Sequence, residues 1–361
     1  MLGYAPVFAL WIYFEALLSS RISVSTIGGF SVALLGWVGV FIASLAKLPL
    51  LRLLSLPSTR RLALLISSIT LAMIPLQYLL TPQGGFSYVS SYILASVAYG
   101  LVSAAVFATI VNDVDYVEWS KAITSSSMLA YTLTLGVLLT WSLMGVDLSI
   151  PLALTSTAIL LATIPTMRGW ILPSMTLKTI EVIADILSFR RNPKTYTMWY
   201  LDVAKLAVIT GGLGALKIAV LSTAMREHGV TSLIALSLGA LIASMAARYH
   251  AKPRIAMITA IPAATSTLVA GSQLLTLALL GLAITYSYLT ITITVLESKP
   301  KAVYKATLVL TIATAIGSLA TGLTSLADPR IASKIVTFTT TILVTTVILL
   351  TIRRGKENWE S

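Results

Sequence analysis

The 361-residue chain contains no cysteine, which excludes disulfides and thiolate metal centres. Its two histidines, His228 and His250, lie far apart in expected loops, so an imidazole metal site has nothing to build on. Charge is scarce as well. Asp, Glu, Lys and Arg make up 11% of the residues, against about 25% in a soluble domain. Asn occurs only at 112, 192 and 358, and Gln only at 77, 83 and 273. Sparing use of thermolabile Asn, Gln and Cys is a thermophile tendency, and a lipid-facing composition produces it too. A nucleotide-hydrolysing motor is also missing. The run Gly211-Gly212-Leu213-Gly214 with Lys217 does not fit the P-loop spacing and reads better as helix packing by small residues.

Apolar sequence takes the place of charge. Hydrophobic residues account for 57% of the chain and the mean hydropathy is +0.91. Long apolar stretches recur from end to end, which excludes a soluble domain with a single anchor. About 20 apolar residues cross the ~30 Å hydrocarbon layer. That ruler places spans near 2–20, 28–46, 62–81, 88–111, 122–144 and 149–167. A second set falls near 198–221, 231–247, 255–271, 274–296, 304–326 and 333–352. The first stretch lacks a basic n-region and a small-residue cleavage site, so it is expected to be a retained span rather than a signal peptide. Segments 285–295 and 335–351 are rich in Thr, Val and Ile, as soluble strands are. They lack alternation, and in lipid only helices and closed barrels satisfy the backbone. The expected fold class is therefore an all-α polytopic membrane protein with about 12 transmembrane helices.

The net charge of +12 would suit nucleic acid in a soluble protein; its placement here points to the membrane. With the N-terminus inside, the external segments hold only Arg21, Arg226, Arg330 and Lys334. Lys205 and Lys217 fall in the seventh span, and every other Lys and Arg is cytoplasmic. This is the positive-inside asymmetry, with both termini in the cytoplasm of a cell-membrane protein. Nucleic acid is not an expected partner; membrane lipids are. The longest connection divides the chain into a six-helix half at 1–167, a linker at 168–197, and a second six-helix half with a short tail at 198–361. Within the linker, residues 177–189 form an amphipathic pattern, with Lys178, Glu181, Asp185 and Ser188 on one face. A helix lying on the cytoplasmic surface is expected there.

Two six-helix pseudo-symmetric halves, cytoplasmic termini and a long basic central loop resemble the major facilitator superfamily. The basic loops Lys47 to Arg61 and Arg248 to Arg254 stand where that superfamily carries its Gly/Asp/Arg loop motif, without its Gly-x-x-x-Asp core. Asn112-Asp-Val-Asp-Tyr-Val-Glu-Trp-Ser-Lys121 resembles the Asp-Tyr-x-Glu-Trp motif of the glycoside–pentoside–hexuronide:cation symporters, a branch of that superfamily. Asp115, Tyr116, Glu118 and Trp119 match it, and Asn112 stands where the branch has another Asp. The motif follows the fourth span, the pseudo-symmetric counterpart of its place in the branch.

Ionisable groups within spans are costly and are functional candidates by default. Glu15 lies about two-thirds along the first span, near Trp11, Phe14 and Leu17. The resemblance implies that the first span of each half lines a central cavity, which makes Glu15 a candidate proton carrier; a hydrated structural carboxylate is the alternative. Lys217 in the seventh span stands almost as far ahead of Arg248 as Glu15 does of Lys47, so a Glu15–Lys217 contact across the cavity mouth is one expectation. Snorkelling of Lys217 to the interface is the other. Tyr286 and Tyr288, with the neighbouring Ser and Thr of the tenth span, are candidate cavity groups. Asp202 and Lys205, spaced i and i+3, form either a structural pair or part of an inner gate. Asn112, Asp113, Asp115, Glu118 and Lys121 are a candidate cytoplasmic gate. Three carboxylates there invite a divalent metal, but no second cluster supplies the remaining ligands, so no metal or other cofactor is expected. Pro75 and Pro262 fall inside counterpart spans and are expected to kink them.

These observations lead to a non-enzymatic secondary active transporter as the expectation. It would move a small solute by alternating access, with a proton or another cation as the coupling ion. A membrane-embedded enzyme or flippase acting on lipid-linked substrates, and a transport-inactive scaffold or sensor, remain as alternatives.

Overall fold

The computed structural model describes residues 4–20, 42, 57–80, 85–115, 118–145, 148–165, 206, 209–210, 212–214, 216–217, 220–221, 224–225, 227–267 and 271–298. No strand occurs among them. The helices are α1 (Tyr4–Ser20), α2 (Pro57–Leu80), α3 (Gly85–Asp113), α4 (Trp119–Met144) and α5 (Ser149–Thr163), followed by α6 (Thr231–Tyr249), α7 (Pro253–Ser266) and α8 (Gln273–Ser298). Helical positions between 206 and 228 belong to the expected seventh span. The spans expected at 28–46, 304–326 and 333–352, the linker helix, and the Asp202–Lys205 pair lie outside the described residues.

Helix α2 shows what kind of solvent the fold is built for. Many of its large side chains point outward: Leu65, Ile66, Ile69, Met73, Leu76 and Leu79 are exposed, Leu79 by 82%. Its buried side includes Ser67 and Ser68, each nearly inaccessible. In water this pattern is inverted and would leave an adhesive surface. In lipid it is favourable, because small residues let helices approach while large apolar ones meet acyl chains. The buried hydroxyls are satisfied within their own helix, Ser67 donating to the Ala63 carbonyl at 2.7 Å and Ser68 to that of Leu64 at 2.8 Å. The same i−4 bonding recurs at Thr134 and Thr292. It lets β-branched threonines sit in helices without leaving a polar atom in hydrocarbon. Five helices, Thr59–Leu80, Ser87–Ile110, Trp119–Met144, Thr231–Tyr249 and Gln273–Ile293, are long and apolar enough to cross a membrane.

Several helices begin or end beyond their apolar runs. α2 starts at Pro57, a residue suited to a first turn, and so takes in Arg60 and Arg61 rather than leaving them in a loop. Both arginines are buried, at 5% and 6% exposure, and the Arg60 guanidinium donates to Thr109 of α3 at 3.4 Å. Pro75 and Pro262 lie inside α2 and α7, as expected.

In the first half, α1 packs against α3, α4 and α5, while α2 covers α3 and α5. The core there combines Leu10, Tyr13 and Phe14 of α1 with Leu71 and Ile74 of α2, Tyr92 of α3 and Leu160 of α5. The Tyr13 hydroxyl accepts the amide of Leu148 at 2.9 Å, tying α1 to the start of α5. Gly145 closes α4 in a left-handed conformation with φ 62°, its amide returning to the Trp141 carbonyl. In the second half, α8 packs along α6 and α7. α4 joins the two halves, packing against α6 and α8.

Candidate functional site

The seam between the halves carries an aromatic cluster near the middles of the helices that build it. Tyr4, Phe8 and Trp11 recur on one stripe of α1. Each spacing of three or four residues returns a side chain to the same helix face. Trp11 lies one residue from the centre of α1, Tyr99 is the central residue of α3, and Tyr131 and Thr285 stand near the middles of α4 and α8. These positions place the cluster near the bilayer midplane.

The rings are closely arranged. Trp11 stacks on Tyr99 with centroids 4.6 Å apart and planes 6° from parallel. The Trp11 indole donates to Ser96 at 3.1 Å, and the Ser96 hydroxyl donates on to the Tyr92 carbonyl at 2.7 Å. Phe8 meets Tyr131 edge-on at 5.1 Å and Tyr99 at 5.5 Å. The Tyr4 and Tyr99 hydroxyls share a hydrogen bond of 3.3 Å. From the second half, Thr285 pairs with the Tyr131 hydroxyl at 3.1 Å, and the Tyr288 phenol lies close enough to Tyr4 and Tyr99 to interact with them electrostatically. Trp11 and Phe8 are buried, whereas Tyr4, Tyr99 and Tyr131 are partly open and Tyr288 is exposed. Rings and hydroxyls from both halves therefore meet at one seam. Such surfaces bind the flat or C–H-bearing faces of a solute while hydroxyls orient its polar edge.

The two tyrosines singled out in the tenth span part company. Tyr288 faces the cluster, but Tyr286 is buried on another side of α8, where its hydroxyl donates to the His250 carbonyl at the end of α6. Lys217 is half-buried in its helix. Glu15 lies in α1, one turn beyond Trp11 on the Tyr4–Phe8–Trp11 stripe; its side chain is outside the described residues, and so is any contact it makes with Lys217.

The expected gate residues are spread over two helices and a turn. Asn112 and Asp113 close the last turn of α3. Asp115 and Glu118 are exposed in the connection, which a Glu118 amide to Asp115 carbonyl bond of 2.8 Å tightens. Lys121 is exposed in the first turn of α4. Trp119 anchors this segment. Its indole donates to the Val114 carbonyl at 2.8 Å, and its buried ring joins a core made mostly of second-half residues, among them Ala243, Ala247 and Met257. Among the described residues, no three His, Asp or Glu side chains come together as a metal site would require.

The residues that build the cluster, apart from Tyr288 and the neighbouring Thr285, were not singled out from the sequence. The available signal was the Tyr4, Phe8, Trp11 spacing, together with Ser96 and Tyr99 one turn apart. What joins them is packing between helices 85 and 95 residues apart in the chain.

No protein-family model and no curated protein sequence matches the chain. Solved structures do. The human organic anion transporter MFSD10 (TETRAN) superposes with a TM-score of 0.69 at 12% identity, over 97% of each chain. The xylose transporter XylE from E. coli, in a partially occluded inward-open conformation, gives 0.66 at 13% identity over 98% of this chain and 97% of its own. The E. coli fucose:proton symporter FucP gives 0.59 at 13% identity over 96% of both. The chain thus shares the major-facilitator fold of these transporters over 96–98% of its length, as a multi-pass membrane protein that is all-helical among its described residues.

Proposed function

We propose that this chain is a secondary active transporter that carries a small solute across the cell membrane by rocking its two halves about the midplane cluster. The observation that carries this reading is the cluster itself, in which Tyr131 of the first half pairs with Thr285 of the second and Tyr99 interacts with Tyr288. A site at the interface of two repeats, near the middle of the bilayer, is accessible alternately from either side when the halves rock. The structures it resembles are of transporters for an organic anion, xylose and fucose. Among the described residues the cluster offers rings and hydroxyls but no charge, which suits an uncharged solute such as a sugar.

The coupling ion is a proton or another cation, and Glu15 is its carrier. Its place on the same α1 stripe as the cluster supports this role, with Lys217 as its partner across the cavity mouth. Asn112, Asp113, Asp115, Glu118 and Lys121, with Asp202 and Lys205, form the cytoplasmic gate. Both termini are cytoplasmic, the boundary between the halves is the 168–197 linker, and the chain catalyses no covalent chemistry. The 112–121 segment follows the cation-symporter pattern at Asp115, Glu118 and Trp119, in keeping with cation coupling.

The test is thermal unfolding of the purified protein in detergent, at two pH values, against sugars, amino acids, organic cations and lipids. A solute at a hundredfold excess over its Kd stabilises the folded state by about 2.7 kcal/mol. A solute-specific, pH-dependent shift that becomes pH-independent in Glu15→Gln is the expected outcome. A shift produced only by a lipid-linked precursor would overturn the reading in favour of a flippase or a lipid-acting enzyme.

A further inference from the structure

A second feature lies outside the transport pathway. A groove of about 420 Å³ opens between the last turns of α6, the first turns of α7 and the middle of α8. Ala246 and Tyr249 form one wall, Ile255 and Thr259 another, and Leu282 and Tyr286 the floor. The lining is almost wholly apolar, with His250 at its edge and the hydroxyls of Tyr286 and Thr259 already engaged. The Tyr286 hydroxyl donates to the His250 carbonyl, and Thr259 donates to the Ala256 carbonyl at 2.9 Å. Tyr249, at 77% exposure, and Ile258, at 63%, flank the groove on the outer surface of the bundle. It is therefore open to lipid rather than to the space between the halves.

Its outer end is basic. Arg248, Lys252 and Arg254 are all exposed around the α6–α7 turn. The sequence has no acidic residue between Glu227 and Glu297, so none of α6, α7 and the first 24 residues of α8 supplies a counter-charge. Among the described residues none of the three cations forms an ion pair. Three cations that form no ion pair among the described residues, next in the chain to the lining of an apolar slot that descends toward the middle of α8, complement a molecule with a phosphate at one end and hydrocarbon at the other.

We infer that this groove is a binding site for one anionic phospholipid of the cytoplasmic leaflet, an acyl chain lying along Leu282 and Tyr286 and the phosphate among Arg248, Lys252 and Arg254. Cationic side chains at a membrane surface attract anionic lipid generally. The groove adds a fixed seat for the chain, and with it a preference for one lipid position over bulk attraction.

Native mass spectrometry of the full-length detergent-purified protein tests this, with phosphatidylglycerol and phosphatidylcholine of identical chains titrated separately. Phosphatidylglycerol should bind at least tenfold more tightly. Replacing all three cations (Arg248→Gln, Lys252→Gln and Arg254→Gln) should weaken it about a hundredfold. Ala246→Phe, which fills the slot from an exposed position and leaves the charges in place, should also weaken it by tenfold or more. Thermal unfolding of each variant in phosphatidylcholine establishes that it is folded. Equal affinity for the two lipids, indifference to Ala246→Phe, or full competition by soluble glycerol phosphate would each overturn the inference, the last two by showing that the slot holds no chain.

Discussion

Trp11 and Tyr99 stack almost face on face, 4.6 Å apart and 6° from parallel, although 88 positions separate them in the chain. The stack is held from behind, because the Trp11 indole is bonded to Ser96 one turn before Tyr99. Ring and anchor together fix the wall of the proposed solute site before any solute arrives. Truncating Trp11 should therefore cost both stability and binding. Trp11→Ala is expected to destabilise the protein by about 3–5 kcal/mol, and Trp11→Phe, which keeps a ring but loses the bond to Ser96, by about 1 kcal/mol. Thermal unfolding in detergent measures the difference, and equal losses in the two variants would show that the ring stack contributes little.

The seam between the halves can be tested without damaging either. Tyr131→Phe and Ser127→Ala remove the hydroxyl pairs to Thr285, at 3.1 Å, and to Ser244, at 2.8 Å. Each is expected to change stability by no more than about 1.5 kcal/mol and to alter the balance of inward- and outward-facing states. Because the chain has no cysteine of its own, a single cysteine introduced on either side of the cluster reports that balance by its labelling rate. Unchanged rates in both variants would show that these contacts do not set it.

Glu15→Gln is expected to lower gradient-driven uptake into proteoliposomes by at least tenfold while leaving solute exchange without a gradient. If exchange fell equally, Glu15 would be a solute ligand or a structural residue instead of the carrier of the coupling ion.

Two glycines provide a sharp contrast with a third. A Cβ at Gly281 would lie 2.2 Å from the Leu236 carbonyl oxygen, and one at Gly239 would lie 1.9 Å from that of Ala278. No rotamer change relieves a clash with backbone, so Gly281→Ala and Gly239→Ala should greatly reduce the yield of folded protein. At Gly136 nothing lies within 4 Å of the added carbon. Gly136→Ala in the middle of α4 should be neutral or stabilising by up to about 1 kcal/mol. Yield and melting temperature on one purification scale separate the cases.

The sequence carried the helices well, because crossing hydrocarbon demands a length and a composition that few other structures share. α6 was expected at 231–247 and occupies Thr231–Tyr249; α8 was expected at 274–296 and occupies Gln273–Ser298. The departures have one cause: a helix does not stop where its apolar run stops. α2 reaches back to Pro57 and buries Arg60 and Arg61, while α3 continues through Asn112 and Asp113. α7, expected at 255–271, instead occupies Pro253–Ser266. The site was harder to read. A charge in a span stands out in a sequence, which drew attention to Glu15 and Lys217, whereas an aromatic residue in an apolar run does not. Tyr4, Phe8, Trp11, Tyr99 and Tyr131 come together only through the way α1, α3 and α4 meet. Tyr286 and Tyr288, two positions apart in sequence, were grouped together, yet they face different surroundings because helix positions i and i+2 diverge by about 200°.

The contact of α6 with α8 has a mechanical consequence. Where Gly239 and Gly281 touch the opposing backbone there is no space for a methyl group, so the two helices have no slack with which to slide or tilt against each other. They form a rigid plate, and the Tyr286 bond to the His250 carbonyl clamps its inner edge. In the proposed rocking, motion between the halves would be taken up along α4, where the plate is met by Ser127 and Tyr131. Those contacts are hydroxyl to hydroxyl, and such groups trade partners readily without leaving a buried charge stranded. The cavity wall would thus be stiff on one side and lubricated on the other, like a door leaf against its jamb.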